Sequence, residues 1–296
     1  MPHEIPFFDQ LPDARERLAR ARILYTDLDG TLLGAGGSLL RDGAGTPTLD
    51  GATAVVDVNS AGLPVVITSG RNVKQLTEVS RLLGWRDFIA EVGTIRSYDN
   101  GARRIYDLGV WPDGALEAGE TPFTAIERAG AVALLQARYP GLVEYHDPWH
   151  RDREVTHMLR GKLPIEEAQA LLDTLPLPVT IVDNGIIRPL SHGLQAMPEI
   201  HAIHLVPSGA SKERAIAADL AERGFTRDQA LAIGDGTADI GMADAVGLMV
   251  CVRNGLDDPT LLAAAVRHTN IAATRGARGE GWRELVGAWI AARRAN

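Results

Sequence analysis

Four short runs of apolar residues constrain the fold more than any other feature of this chain. They lie at residues 23–25, 65–67, 231–233 and 248–252, and none of them alternates with polar residues. Strands that are apolar on both faces are typical of a parallel sheet covered by helices on its two sides. The runs therefore predict the central strands of a buried parallel sheet.

Amphipathic helical patterns follow these runs. They cover residues 72–83, 212–223 and 257–266. A strand followed by a helix, repeated along a chain, is typical of an open α/β sheet. We therefore predict an α/β fold.

The middle of the chain has a different character. It is richer in Pro, Trp and His, and its candidate strands at 154–159 and 179–183 have mixed polarity. We predict a core formed by residues 1–93 and 200–296, with an α+β domain of residues 94–199 inserted between the two segments.

Composition limits the classes of partner. The 296 residues carry a formal net charge of -8, which argues against a nucleic-acid partner. The single cysteine, Cys251, can form no internal disulfide and favours a reducing compartment, so we expect a cytoplasmic protein. The sequence shows neither an apolar signal region nor a run of ~20 apolar residues, and we expect no membrane association.

Two aspartates follow the first apolar run. Asp27 and Asp29 precede Gly30 and Thr31 in the segment Asp-Leu-Asp-Gly-Thr. Ligands of open α/β sheets bind beyond the carboxyl ends of the strands. Two nearby carboxylates repel each other unless a cation is present, and oxygen ligands favour Mg²⁺. The alternative is that one aspartate caps a helix and the other lies in a solvated turn.

Two further segments could bind phosphate. The second run ends in Thr-Ser69-Gly70-Arg, where a hydroxyl and free amides suit a phosphate oxygen, although a simple helix cap is an equal alternative. Lys212 begins a predicted helix, where its charge opposes the helix dipole. A solvated lysine is the alternative there.

A second pair of acids follows the third run. Asp235 stands at the predicted strand end and Asp239 lies one helical turn later. Together with the pair at the first strand, these carboxylates predict an oxygen-lined metal site.

These four motifs, in this order, resemble those of the haloacid dehalogenase (HAD) superfamily of phosphohydrolases. The large insertion is similar to the Cof-like and sugar-phosphatase branch, which carries a large α+β (type IIB) cap. The resemblance implies a Rossmann-like parallel core, a cap that sets substrate specificity, and Mg²⁺ as the cofactor.

The resemblance also implies catalytic roles. Asp27 would be the nucleophile that forms an aspartyl-phosphate, and Asp29 would be the general acid and base. Mg²⁺ would be held by a side-chain oxygen of Asp27, the backbone carbonyl of Asp29 and Asp235. Asp239 would orient the lysine or hold a metal-bound water.

Phosphate contacts follow from the same resemblance. Ser69 and Lys212 would bind the transferring phosphoryl group, with amides near Gly30 and Gly70. Relatives with this cap usually have Asn where this chain has Ala238, so one contact to phosphate or metal-bound water is lost or replaced.

The spacing of the histidines suggests a zinc site as a second hypothesis, which we reject. His146 with His150 and His201 with His204 have suggestive spacings, but Pro148 interrupts the first pair, and positions i and i+3 of a strand face opposite ways.

Other residues of the inserted domain could line its inner face. His146, His157 and Arg160 are candidates for reading substrate hydroxyls, although placement in the core or on the surface is favoured for them.

The leading functional hypothesis is a Mg²⁺-dependent phosphatase that acts on a small phosphomonoester, with a sugar phosphate preferred. A phosphomutase, which returns the phosphoryl group to the sugar, is the first alternative. The second is a weakly active protein that only binds a phosphorylated ligand.

Overall fold

The computed structural model describes residues 5–187, 193–194 and 197–295. Residues 1–4 and 296 of the predicted core, and residues 188–192 and 195–196 of the predicted inserted domain, lie outside the described residues. The strands are β1 Ile23–Thr26, β2 Val65–Thr68, β3 Phe88–Ala90, β4 Ile95–Tyr98, β5 Arg103–Tyr106, β6 Val143–Tyr145, β7 His157–Gly161, β8 Val179–Ile187, β9 Ile200–Pro207, β10 Ala230–Gly234, β11 Leu248–Cys251 and β12 Ile271–Ala273. The helices are α1 Ala14–Arg20, α2 Asp50–Ser60, α3 Val73–Leu83, α4 Pro122–Arg128, α5 Ala131–Arg138, α6 Ile165–Leu172, α7 Lys212–Arg223, α8 Thr237–Ile240, α9 Pro259–Ala265 and α10 Arg278–Arg294.

The larger sheet has eight strands in the order β12-β11-β10-β1-β2-β3-β4-β5. Its first six strands are parallel, and β4 and β5 extend it as antiparallel hairpins. The four apolar runs form β1, β2, β10 and β11, which are contiguous at the centre. The predicted parallel sheet is confirmed.

Both faces of this sheet are covered, as continuous apolar strands require. Leu24 and Ile67 pack into a cluster on one face that includes Trp282 of α10. Tyr25 and Val66, their neighbours along the strands, pack into the cluster on the other face. Adjacent residues of one strand therefore both lie in a core.

The predicted helices begin and end close to the expected residues. Helix α7 has the predicted bounds, and α3 begins one residue late because Asn72 is its N-cap, accepting the Gln75 N–H at 2.8 Å. Helix α9 is shorter than expected: the Asp258 side chain caps it, and Pro259 occupies its first turn, where a missing N–H costs nothing.

The smaller sheet, called the cap sheet below, has the order β6-β7-β9-β8 and is antiparallel. One of its faces packs on α4, α5 and α6 through residues such as Leu159, Ile203 and Leu205. A mostly parallel core sheet with a separate α+β cap confirms the predicted fold class.

The division of the chain at 93/94 and 199/200 stays a prediction. Strands β4 and β5 pair into the core sheet, while β9 pairs into the cap sheet. We therefore propose that the cap runs from about residue 107 to about residue 207.

Among the helices in the described part of the chain, none is both long enough and apolar enough to span a membrane.

Candidate functional site

Neighbouring parallel strands end side by side at the candidate site. In the register of the core sheet, Thr26 of β1 pairs with Ile233 of β10 and with Ile67 of β2. Asp27 and Asp235 follow the first two of these strands directly. The topology therefore brings the two acidic motifs together at one edge, as the sequence predicts.

Three of the four predicted acids form one cluster. Asp27, Asp235 and Asp239 each offer a carboxylate oxygen, and these oxygens lie within 4.8 Å of one another. Lys212 joins two of them: its Nζ donates to Asp27 Oδ1 at 3.0 Å and to Asp239 Oδ1 at 2.6 Å. We call these three carboxylates the acidic cluster.

The acidic cluster holds more negative charge than Lys212 balances. Burial, with the charges of Asp239 and Asp235, raises the pKa of Asp27 well above its usual value, although Lys212 opposes the shift. Burial and Asp239 raise the pKa of Asp235 to about 7. Although burial opposes it, the attraction of Asp239 and Asp27 raises the pKa of Lys212, so the lysine stays charged. An oxygen-only cluster that lacks positive charge fits a hard divalent cation.

The backbone at Gly30 makes room for Asp235. A Cβ at Gly30 would stand 2.1 Å from Asp235 Oδ2, and φ at this residue is +88°. Thr31 Oγ1 donates to the same carboxylate at 2.8 Å, and so does Asn254 Nδ2 at 3.2 Å. The Gly30 N–H donates to Leu33 O at 3.2 Å, so this amide serves the turn, and its predicted phosphate contact gains no support.

Asp29 lies apart from the acidic cluster. Its half-exposed carboxylate accepts two hydrogen bonds from Arg71, Nε at 2.7 Å and Nη2 at 2.6 Å. The side chain is therefore held by a rigid fork and does not join the acidic cluster. The predicted metal contact of Asp29 is through its backbone carbonyl and stays a prediction.

Arg71 is a site residue to which the sequence motifs gave no role. It is the last residue of the Thr-Ser-Gly-Arg motif, so its position after β2 was the signal that could have identified it.

Ser69 and Gly70 follow β2 as predicted. Ser69 is buried, its N–H donates to Ile89 O at 3.0 Å, and its Oγ accepts the Arg71 N–H at 3.3 Å. The Gly70 carbonyl accepts a hydrogen bond from Arg153 of the cap at 2.9 Å. The cap thus contacts the predicted phosphate-binding loop directly.

Asp239 orders the loop that carries Asp235. Its Oδ2 accepts the N–H groups of Asp235 and Gly236 at 3.1 and 3.0 Å, and its Oδ1 accepts from Lys212. The predicted role of orienting the lysine agrees with this geometry. Ala238 lies on α8 beside Asp239 and is partly exposed.

Glu91 joins core and cap in a way the sequence analysis missed. This fully buried carboxylate accepts the N–H groups of Glu154, Val155 and Thr156 at 2.9, 3.2 and 2.8 Å. The guanidinium of Arg153 lies 4.0 Å away. The three amides are committed to Glu91, which explains why β7 begins at residue 157 and not at the predicted 154.

The cap histidines make contacts of several kinds. His201 contacts the carboxylates of Asp183 and Glu199, while the ring of His204 faces Gly70. The ring of His157 lies within hydrogen-bonding distance of the Phe123 carbonyl, at 2.9 Å.

Arg160 and His146 are candidates for the inner face of the cap. Arg160 is positively charged, and His146 lies near positive charge. Arg160 pairs with Glu144 at 2.6 Å. Burial, followed by the charges of Arg160 and Arg153, lowers the pKa of His146 to about 4.

Comparisons with known proteins agree with this geometry. A family model described as haloacid dehalogenase-like hydrolase matches residues 198–273. The chain is 26% identical over 203 residues to a phosphoglycolate phosphatase of Methanosarcina mazei, covering 68% of this chain and 75% of the relative. It is 27% identical over 245 residues to one of Methanospirillum hungatei, covering 80% of this chain and 86% of the relative.

Solved structures share the fold at low sequence identity. The sucrose-phosphatase of Synechocystis sp. PCC6803 has a TM-score of 0.61 at 15% identity, covering 91% of this chain and 98% of that one. A Thermoplasma acidophilum protein has the same TM-score and coverages at 16% identity. In its motifs, its fold and these relatives, the chain is similar to the haloacid dehalogenase-like hydrolases with a separate cap, and we identify it as a phosphoric monoester hydrolase.

Proposed function

We propose that this enzyme is a Mg²⁺-dependent phosphatase that hydrolyses a small phosphorylated metabolite, preferably a sugar phosphate, through an aspartyl-phosphate on Asp27. The observation that carries the proposal is the contact of Lys212 with both Asp27 and Asp239 beside Asp235. A buried lysine in this place can keep a nucleophilic carboxylate ionised and can also bind a phosphoryl oxygen.

The reaction divides between two aspartates. Asp27 attacks phosphorus, and the bond from phosphorus to the alcohol oxygen breaks. Asp29, held by Arg71 and open to solvent, takes up a proton from water and donates it to the departing alkoxide. Asp29 then accepts a proton from the water that hydrolyses the aspartyl-phosphate, which frees Asp27 and inorganic phosphate.

Carboxylates of the acidic cluster fit the metal. Asp27 and Asp235 would hold Mg²⁺, with the backbone carbonyl of Asp29, and Asp239 would contribute through Lys212 or a bound water. Bound Mg²⁺ supplies positive charge that offsets the repulsion between carboxylate and phosphate.

Phosphate contacts come from the loop after β2 and from Lys212. Ser69 and Gly70 stand at the end of the strand next to β1, where an oxygen of the phosphoryl group would lie. We retain both as phosphate ligands, and we assign Gly30 to the approach of Asp235 instead.

A carboxylated substrate is the second candidate, because the sequence relatives are phosphoglycolate phosphatases. A screen that includes phosphoglycolate and several sugar phosphates separates the two classes by kcat/KM. Isomerised sugar phosphate in place of free phosphate would select a phosphomutase.

The decisive experiment replaces the nucleophile. Asp27→Asn is expected to abolish phosphate release from para-nitrophenyl phosphate with saturating Mg²⁺. The matched control is Asp57→Asn, an exposed aspartate of α2, which should retain wild-type activity. Retained activity of Asp27→Asn would overturn the assignment. Tight ligand binding by a wild-type protein that releases no phosphate would select the binding protein.

We also propose a cytoplasmic setting and a small-molecule partner without nucleic acid. The support is compositional: the free thiol of Cys251 is buried, and the net charge is -8. Together these features suit a reducing compartment and an enzyme of small metabolites.

A further inference from the structure

The cap sheet turns one face toward the core, and His204 lies on it. On β9, Ile203 and Leu205 pack against the cap helices, so His204 between them points the other way. A Cβ at Gly70 would stand 3.1 Å from His204 Nε2 and 3.4 Å from Asn184 Nδ2. These two cap side chains therefore lie directly over the predicted phosphate-binding loop.

His204 is buried without a hydrogen-bond partner. Its exposed fraction is 0%, and neither Nδ1 nor Nε2 has a partner among the described residues. A buried polar group without a partner is costly, and such groups gather where a ligand or water completes the site. Both ring nitrogens lack a partner, although Nε2 faces Gly70 of the predicted phosphate-binding loop.

The protonation state of His204 limits which chemical groups can bind it. Burial, followed by the positive charges of Arg153 and Lys212, lowers the pKa of His204 well below its usual value. The neutral ring offers one N–H donor and one acceptor nitrogen. A hydroxyl group, which both donates and accepts, complements either nitrogen, whereas a carboxylate complements only the donor.

Charge around the site supports the same choice. Four cations around the site already contact a carboxylate. The pairs are Lys212 with Asp27 and Asp239, Arg71 with Asp29, Arg153 with Glu91, and Arg160 with Glu144. A second anionic group on the substrate would compete with these partners, while a neutral hydroxyl would not.

Resting on the proposed phosphatase function, we propose that His204, with Asn184 beside it, binds a hydroxyl on the alcohol portion of the substrate, close to the phosphoester. This assigns the substrate to hydroxylated alcohol phosphates and disfavours phosphocarboxylic acids.

A matched set of substrates tests the proposal. The probes are 2-hydroxyethyl phosphate, ethyl phosphate and phosphoglycolate, which differ in one terminal group. We expect wild-type kcat/KM to favour 2-hydroxyethyl phosphate over each of the others by at least ~10-fold, because a subsite built for a hydroxyl rejects an analogue that lacks it.

Variants of His204 give the second test. His204→Leu should bring the ratio of hydroxyethyl to ethyl phosphate close to 1, and His204→Gln, which keeps a donor and an acceptor, should retain most of it. His157→Leu is the matched control. This buried histidine is two residues from Leu159 on β7, so it faces the cap helices and not the core, and its ring lies beside Phe123. Its loss should lower Tm but leave the ratio unchanged.

The outcomes separate the two proposals. Equal wild-type rates for hydroxyethyl and ethyl phosphate, a preference for phosphoglycolate, or an unchanged ratio in His204→Leu would overturn the subsite while the phosphatase stands. If the wild type hydrolyses no phosphomonoester, the phosphatase proposal fails. Calorimetric titration with 2-hydroxyethyl and ethyl phosphate then tests the subsite alone, and equal affinities would overturn it.

Discussion

Arg71 donates to both oxygens of the Asp29 carboxylate, from Nε at 2.7 Å and from Nη2 at 2.6 Å. In the proposed mechanism this fork fixes the general acid in one orientation. Arg71→Gln removes both bonds, and we expect kcat to fall ~10- to 100-fold with a smaller change in KM. Steady-state kinetics with para-nitrophenyl phosphate measures the effect.

The control for this variant lies on α3. Arg81 makes a similar pair with Glu78, but the pair is exposed and remote from the acidic cluster. Arg81→Gln should leave kcat within twofold of the wild type. An equal loss in both variants would refute a positioning role for Arg71.

Gly30 offers a test of the metal site. Gly30→Ala places a methyl group 2.1 Å from Asp235 Oδ2 at a φ of +88°, so the carboxylate must move. We expect a several-fold higher Mg²⁺ concentration for half-maximal activity and a loss of stability of more than ~1 kcal/mol. Metal titrations and thermal melts provide the two readouts.

Gly62 provides the control that separates backbone strain from displacement of Asp235. Its φ is +65°, but a Cβ there would meet no atom within 4 Å. Gly62→Ala should therefore cost only ~1 kcal/mol and leave the Mg²⁺ requirement unchanged. If it raised that requirement as much as Gly30→Ala does, displacement of Asp235 would not be the cause.

The acidic cluster predicts how pH and metal act together on stability. The pKa of Asp235 is about 7 in the folded chain against an ordinary value of 3.8, so the folded state holds its proton more tightly than the unfolded state. The contribution of this group to the free energy of unfolding therefore falls as pH rises from about 4 to about 7. Mg²⁺ competes with that proton, and it should raise Tm more at pH 8 than at pH 5.

Asp235→Asn removes the titrating group. Thermal melts of the metal-free variant should show a higher Tm than the wild type at pH 8, with little added stabilisation by Mg²⁺. A wild-type Mg²⁺ effect that is the same at both pH values would contradict the prediction.

A substitution at Glu91 tests how much the contact between core and cap contributes to stability. Glu91→Gln replaces one acceptor oxygen by a donor facing backbone N–H groups and leaves Arg153 without its carboxylate. We expect a loss of ~3 kcal/mol in the free energy of unfolding, measured by urea denaturation. Glu78→Gln, which breaks only the exposed pair with Arg81, should cost less than ~1 kcal/mol.

Much of the core could be predicted because its signals are local. The apolar runs of β1, β2, β10 and β11 lack alternation, and a sheet with both faces covered is the structure that accepts them. Asp27 and Asp235 could be placed together because the carboxyl ends of parallel strands share one edge.

The remainder depends on contacts between distant segments. The fork of Arg71 on Asp29 and the capture of three cap amides by Glu91 involve pairs separated by 42 and up to 65 residues, and no local pattern encodes them. The close approach of Asp235 to Gly30 is of the same kind. The sequence presented His204 only as the partner of His201 in a rejected metal pair, and it is the topology that places His204 over Gly70.

Glu91 ties the cap to the core at one edge of their contact. Three successive amides of the cap loop and the buried guanidinium of Arg153 converge on this carboxylate, and Arg153 also donates to the Gly70 carbonyl. Separation of cap and core at this edge would break all of these interactions together and part Glu91 from Arg153. The loop that carries Ser69 and Gly70 is therefore held by the cap as well as by the core, and we expect substitutions in the cap loop to affect the phosphate contacts without altering a catalytic residue.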